Sequence, residues 1–371
     1  MDATELLRDR IALTLINGIG NQFAKTLTAY AGSEADALKL SHKRLQRIPG
    51  FGPERAKMVE LSIADALKRA DQEIQFIEKH KIKAVHYSDP DYPELLLECA
   101  DCPFLLYMRG NIELKDKKML AVVGTRMATD YGRQMIKEVL EELATRHPDL
   151  VIISGLAYGI DIAAHRTAIA CHLPTIGLMG NGFATIYPSE HRHTAVKMLE
   201  QGGLITEFIS TAAPDRRNFL MRNRIIAGMS HATWVVESAI RGGSLITADM
   251  ANSYNRDVFA CPGRLHDPYS IGCNKLIKSN KASLIESAAD IEYIMGWENN
   301  QSHAKSPSQP VYQLTEEEQQ LHLFLRSHDK ITLDELAQNT QQNVHLLSAM
   351  LLTLEFKGAV RCLPGNRYSA L

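Results

Sequence analysis

The sequence predicts an α/β fold: a doubly wound, mostly parallel sheet, with a helical module before it and a winged-helix domain after it. Three observations lead there. Between residues 118 and 297, short β-branched runs alternate with helical patterns, as in a parallel sheet wrapped by helices. The chain ahead of that region is helical in pattern and holds a near-repeat built on Gly-apolar-Gly, and behind it come three helical patterns and a closing hairpin. A length of 371 residues leaves room for two or three domains and a sizeable core.

The near-repeat comes first, in the module drawn at residues 1–70. "LINGIGNQFAKTLTAY" (15–30) and "LQRIPGFGPERAKMVEL" (45–61) each set a tight turn between two short helices, with Gly18/Gly20 and Gly50/Gly52 free to take φ > 0. The pattern resembles a tandem helix-hairpin-helix, whose hairpin N–H groups hold phosphates without reading sequence. Such pairs also serve pure packing, in which case Lys25, Arg55 and Lys57 are ordinary solvated cations. Both readings stay open at this point.

Residues 71–297 form the sheet domain. Its lead-in, "SDPDYPELLLECADCPFLLYMRG", reads as aromatic-proline turns packed on the sheet. Strands are expected at 119–124, 150–155, 174–180, 203–208, 232–238, 257–263 and 282–287, separated by helices such as "YGRQMIKEVLEELATR" and "SLITADMANSYN". The segment 298–310, "ENNQSHAKSPSQP", has linker composition. Residues 311–371 then give three helices and a hairpin turning at Pro364-Gly365, a winged helix. Its would-be recognition helix (343–357) carries Lys357 as its one cation, and the wing adds Arg361 and Arg367. A groove-reading helix needs more basic or amide side chains, so protein contact or packing is expected there.

Composition narrows the function classes. Hydrophobic residues at 45% and charged ones at 23% are ordinary for a globular chain, and a formal net charge of −2 excludes a histone-like coating protein. Any nucleic-acid site must be a local patch. Neither a signal peptide nor a long apolar run is read, so the expected compartment is the cytoplasm, without a membrane partner. Cys99 and Cys102 form a lone C-x-x-C with no further ligand pair at usable spacing, and are read as reduced thiols. No metal or cofactor is expected.

The candidate site gathers at the carboxyl ends of the strands. "VVGTR" (122–126) ends a strand at Gly124 and places Arg126 in the loop. "SGLAYGID" (154–161) offers the Ser154 hydroxyl, with Gly155 and Gly159 as backbone that a phosphate can approach. Asp161 is read as a helix N-cap, and His165, one turn on and facing it, as a packed histidine. The segment "PDRRNFLMRNRIIAG" (214–228) is the densest cationic run, with Arg216, Arg217, Arg222 and Arg224 around Phe219 and Asn223. Guanidiniums suit phosphate, and an aromatic beside them gives a base a surface to stack on. Finally "ESAIRGGSLITA" (237–248) supplies a glycine turn before Gly243 and Ser244 at a helix N-terminus, with Arg241 alongside.

These motifs, in the order V-V-G-T-R, S-G-L-A-x-G-I-D-x-A-A-H, I-Y-P, R-N-R-I-I-A-G, V-V-E-S-x-x-x-G-G-S-L-I-T-A and V-F-A-x-P-G, resemble the bacterial DNA-processing protein A (DprA, or Smf) family from about Tyr92 to Ile285. The resemblance implies an extended Rossmann-like fold that binds single-stranded DNA, protects it and loads the RecA recombinase onto it in natural transformation and recombination. It implies a homodimer and no catalytic reaction. Family DNA contacts carry over to Arg126, to the Ser154–Gly159 loop, and to Arg216 and Phe219. Members usually read F-P-x-R-N-R, whereas this chain has Phe219-Leu220-Met221-Arg222-Asn223-Arg224 without the proline.

The competing reading is a Rossmann-type nucleotide phosphoribohydrolase of the lysine-decarboxylase-like group, built on P-G-G-x-G-T-x-x-E. Here the turn is Arg241-Gly242-Gly243-Ser244, it lacks the proline, and Glu237 precedes it instead of following.

Overall fold

A computed structural model describes residues 2–297, 314–327, 331–357, 359–363 and 367–370. The chain divides into two units, Met1–Glu298 and Asn299–Leu371.

The first unit is organised by a nine-stranded sheet. Its strands are β1 (Lys83–His86), β2 (Leu105–Gly110), β3 (Met119–Val123), β4 (Val151–Ser154), β5 (Thr175–Leu178), β6 (Gly203–Thr206), β7 (Ala232–Val235), β8 (Asp257–Ala260) and β9 (Ser283–Leu284). The order is β1-β2-β6-β5-β4-β3-β7-β8-β9. Every neighbouring pair from β6 through β9 is parallel, whereas β2 runs antiparallel to both β6 and β1. The strand runs expected between 119 and 287 all appear, each shortened at its loop end. The region ahead of residue 118 differs from expectation: it contributes β1, at the sheet edge, and β2, between β1 and β6, to the same sheet, on either side of its proline-rich turns.

The central strands are apolar on both faces because both are covered. On one face Leu120, Val122, Ile152, Trp234 and Phe259 pack against the helices Asp130–Arg146, Ile160–Ala170 and Ala288–Met295. On the other, Ala121, Val123, Ile153, Val235 and Ala260 pack against Arg216–Met229 and Gly243–Ser253. Strand β3 lies between β4 and β7, so the winding reverses there and a crevice opens beyond the carboxyl ends of β3 and β7.

The N-terminal helices Ala3–Leu15, Asn21–Ala31 and Pro53–His80 contain both expected hairpins. Only the first glycine of each pair needs the left-handed region, Gly18 at φ +78° and Gly50 at φ +84°. Gly20 and Gly52 are instead extended helix N-caps. The long helix begins with Pro53 at its first position and buries Ala56, Val59, Ala66, Ala70, Ile74 and Ile77 along one stripe. It runs straight through residue 70, so the boundary drawn there falls inside a helix. The core of this module, including Ile11, Leu13 and Ile74, is continuous with Phe104, Tyr107 and Leu204 on the sheet.

The second unit has helices Glu316–Ser327, Leu333–Thr340 and Val344–Phe356 and strands β10 (Ile331–Thr332), β11 (Val360–Leu363) and β12 (Arg367–Ala370), ordered β10-β12-β11. This is the expected winged helix. The linker 298–310 and the Pro364-Gly365 turn lie outside the described residues. Lys357 pairs with Glu318 at 2.6 Å, which occupies the one cation of the would-be recognition helix.

Candidate functional site

A cavity of about 750 Å³ opens at the switch point. The loop after β3 contributes Gly124 and Arg126, the helix Arg216–Met229 contributes Arg216, Phe219, Arg222 and Asn223, and the loop after β7 contributes Arg241, Gly243 and Ser244. Ser154, Gly155, Gly159 and Arg224 do not line it.

The basic run divides by helix face. Arg216 and Arg217 sit exposed at the helix start, while Arg222 and Arg224 turn inward at 4% and 7% exposure. Arg222 donates to the carbonyls of Gly155 and Leu178, and Asp161 lies beside it as its countercharge. Burial pulls the Arg222 guanidinium down to about 10, opposed by Asp161, and burial raises the Asp161 carboxyl, opposed by Arg222. Arg224 pairs with the buried Glu207 and donates to the Asp101 carbonyl. Both arginines are therefore internal supports, a correction to their reading as phosphate ligands. Even without the family's proline the helix start is defined, because the Asp215 carboxylate accepts the Arg217 N–H at 2.7 Å.

The glycines of the 154–161 loop also have another use than expected. A Cβ on Gly155 would lie 2.6 Å from Arg222 Nη2 and 2.6 Å from Asp161 Oδ2, and one on Gly159 would collide with the Thr125 carbonyl. Ser154 is fully buried and its hydroxyl donates to the Val122 carbonyl at 2.6 Å. These residues let the loop after β4 pack on the loop after β3; they admit protein rather than phosphate. Asp161 is not the N-cap either, since Gly159 holds that position and Asp161 sits buried inside the first turn. His165 does not face Asp161: its Nδ1 lies 2.8 Å from the Thr175 hydroxyl, and burial drives it to about 3. Thr175 itself donates to the Ile152 carbonyl, so the Nδ1–H is the donor and His165 is a neutral core histidine.

What remains at the surface is coherent. Arg126, Arg216 and Arg241 are exposed, and among the described residues their side chains make no hydrogen bond or ion pair. The helix Gly243–Ser253 points its N-terminus at the cavity with no carboxylate in its first turn, leaving the positive end of its dipole uncompensated. The Ser244 hydroxyl donates to Ser238 Oγ at 2.8 Å, so its backbone N–H is the group left for an anion. Phe219 is half-buried, one edge against Gly180, where a Cβ would stand 2.5 Å from its ring. Asn223 is half-buried and accepts from Arg222 Nε at 3.3 Å.

Sequence reasoning missed Tyr187. Its ring lines the cavity, is 45% exposed and lies 5.5 Å from Phe219 at 37°. The I-Y-P motif was visible, but nothing in the linear pattern places an isolated aromatic against a helix thirty residues on.

Two other expectations resolve. Lys25 donates to the Cys102 carbonyl at 2.8 Å, and Arg55 to the Gly50 carbonyl at 2.6 Å while lying 4.3 Å over Phe23. Lys25 and Arg55 are thus engaged within the first unit, and Lys57 is exposed. Glu237 is 2% exposed and accepts from the Thr129 N–H at 2.9 Å and from its hydroxyl, which turns it away from the cavity. Among the described residues, no helix is long and apolar enough to cross a membrane.

Comparison with known proteins identifies the family. The sequence model described as DNA recombination-mediator protein A matches residues 83–295, and the DprA winged helix domain matches 305–366. Protein Smf of Synechocystis sp. is 30% identical over 96% of this chain and 97% of its own, and Protein Smf of Escherichia coli is 37% identical over 74% of each. The X-ray structure of DNA processing protein A from Streptococcus pneumoniae superposes with TM-score 0.66 at 30% identity, covering 79% of this chain and 98% of that one. A Helicobacter pylori DNA processing protein A structure, described for its single-stranded DNA binding mode, gives TM-score 0.53 at 26% identity over 58% and 96%. With the sheet domain matched almost end to end and the winged helix matched behind it, the chain belongs to the DNA recombination-mediator protein A (DprA/Smf) family.

Proposed function

We propose that this protein binds single-stranded DNA in the switch-point cavity, protects it, and loads a RecA-type recombinase onto it, acting as a cytoplasmic homodimer and not as an enzyme. The observation that carries the DNA reading is the rim of three unpaired arginines, Arg126, Arg216 and Arg241, around a cavity faced by Phe219 and Tyr187. Guanidiniums bind phosphates without regard to sequence, and a half-exposed ring offers a face that only an unstacked base can use. Support also comes from the Helicobacter pylori relative, described as binding single-stranded DNA. Recombinase loading and dimerisation rest on the family resemblance alone.

The phosphoribohydrolase reading is not favoured. Its acid would have to face the cavity, whereas Glu237 is tied to Thr129 at the start of the Asp130–Arg146 helix.

The test is a titration of single-stranded and duplex oligonucleotides at two salt concentrations. Single strands should bind more tightly, with a log–log salt slope near −0.7 per phosphate neutralised. Preference for duplex, or no salt dependence, would refute the assignment. Recombinase loading is tested by the lag in RecA ATPase on strands coated with single-strand-binding protein, which this protein should shorten.

A further inference from the structure

Beyond the cavity mouth lies a second group of cations that have no ion-pair partner among the described residues. Helix Arg192–Gln201 buries Ala195 and Met198 and leaves Arg192, His193, Val196 and Lys197 exposed, at a spacing that puts them on one outward side. On the adjacent helix Ile160–Ala170, Arg166 is exposed, and its Nε reaches to 3.5 Å from the Thr194 hydroxyl. Arg166, Arg192 and Lys197 make no ion pair among the described residues. The carboxylates nearby in sequence are Glu190, bonded to the Tyr158 hydroxyl, and the exposed Glu200, one turn after Lys197 on the same side of the helix.

Aromatic rings join this group to the cavity. Tyr187, paired with Phe219 at 5.5 Å, is followed within a few residues by His191 and the helix itself. Tyr158, 41% exposed, packs on His191 with centroids 4.9 Å apart. Exposed rings interleaved with cations fit an unpaired polynucleotide, and the amides at hand are occupied, Gln201 donating to the Ala168 and Leu173 carbonyls and Asn223 accepting from Arg222. An acidic protein surface would use the cations but leave Tyr158 and Tyr187 without a role.

We propose that a strand held in the cavity continues past Tyr187 and Tyr158 onto an exit track formed by Arg166, Arg192 and Lys197. The track rests on the single-strand reading of the cavity and adds a second segment to that site. It makes binding length-dependent: a short strand fills the cavity, and a longer one also neutralises phosphates on the 192–201 helix.

The experiment compares oligothymidylates of about 6 and about 16 nucleotides, spanning the usual range of single-strand site sizes, on the full chain and on an Arg192→Ala/Lys197→Ala variant. The parent should bind the longer strand more tightly and with a steeper salt slope. The variant should keep the parent's affinity for the short strand, while its slope for the long strand drops by about 1.4, two phosphates' worth. Tyr158→Ala should weaken the long strand alone and leave the slope unchanged. A variant that binds both lengths as the parent does refutes the track and leaves the cavity reading intact, as does a parent indifferent to length. A parent that binds neither strand removes the cavity reading itself.

Discussion

Arg222 separates two accounts of the basic run, and Arg222→Met distinguishes them. Removing the guanidinium leaves the Gly155 and Leu178 carbonyls without their donor and the buried Asp161 without its countercharge. Breaking a buried charge pair by removing one partner costs about 3–5 kcal/mol, and the unsatisfied carbonyls act in the same direction. For a domain of this size that is a melting-temperature loss on the order of 10 °C. Adding Asp161→Asn to the variant should return part of the loss, because no carboxylate then has to stay charged in the interior. Denaturant unfolding measures the stability, and a salt titration of the folded variant measures any role in binding. The internal-support account expects a large stability loss with an unchanged salt slope. A variant as stable as the parent, with a slope lowered by about 0.7, would show that Arg222 touches phosphate.

Arg126→Ala and Arg216→Ala should each lower the salt slope by about 0.7 with little change in melting. Phe219→Ala should weaken single-strand binding by about 1–3 kcal/mol at constant slope, whereas a core role would show in the melt instead. Burial drives His86 and His165 below the ordinary imidazole value, to about 4 and about 3. The unfolded chain then takes up protons near pH 6.5 that the folded one refuses, so this stabilisation is complete above about 6.5 and lost as pH falls toward 4. The burial-raised Glu73 and Asp161 act with the opposite sign, so the measurement is the difference between parent and His86→Gln, whose stability should fall less over that window. Deleting residues 311–371 should leave single-strand affinity largely intact; loss of most binding would move the site out of the sheet domain. Incubation with a nucleoside monophosphate should release no free base, and release would revive the hydrolase reading.

The sheet domain was legible because strands buried on both faces are mostly apolar, and β3 to β8 are, with short hydroxyl side chains such as Ser154, Thr175, Thr206 and Thr233 as the buried polar positions. The antiparallel strands β1 and β2 were not legible. Lys83–His86 is short and mixed, and it becomes a strand only by pairing with Leu105–Gly110, a partner remote in sequence. At the site, glycine spacing announced close approach correctly but not what approaches, since a loop carbonyl or a guanidinium demands the same missing Cβ as a phosphate. The cationic run posed the same problem. Periodicity placed Arg216 with Phe219 and Asn223, and all three line the cavity. Nothing local could tell that Arg222 would meet Asp161 and Arg224 would meet Glu207, because those partners come from other elements.

The helical module and the sheet share one interior, and polar ties reinforce the seam. Glu73 accepts from the Ser210 N–H at 2.8 Å and from its hydroxyl at 2.6 Å, and Asn21 donates to Glu207 at 2.9 Å. This makes the first eighty residues unsuitable for excision as a cassette. A chain trimmed there would present Phe104, Tyr107 and Leu204 to water, with Ser210 and Glu207 deprived of Glu73 and Asn21, and would tend to self-associate before any question of affinity arose. Grafting the sheet domain into another protein, or pairing it with a foreign N-terminal module, therefore requires a replacement lid of matching shape over β2 and β6. Domain-swapping experiments in this family should place their junctions after Glu298, where the first unit ends.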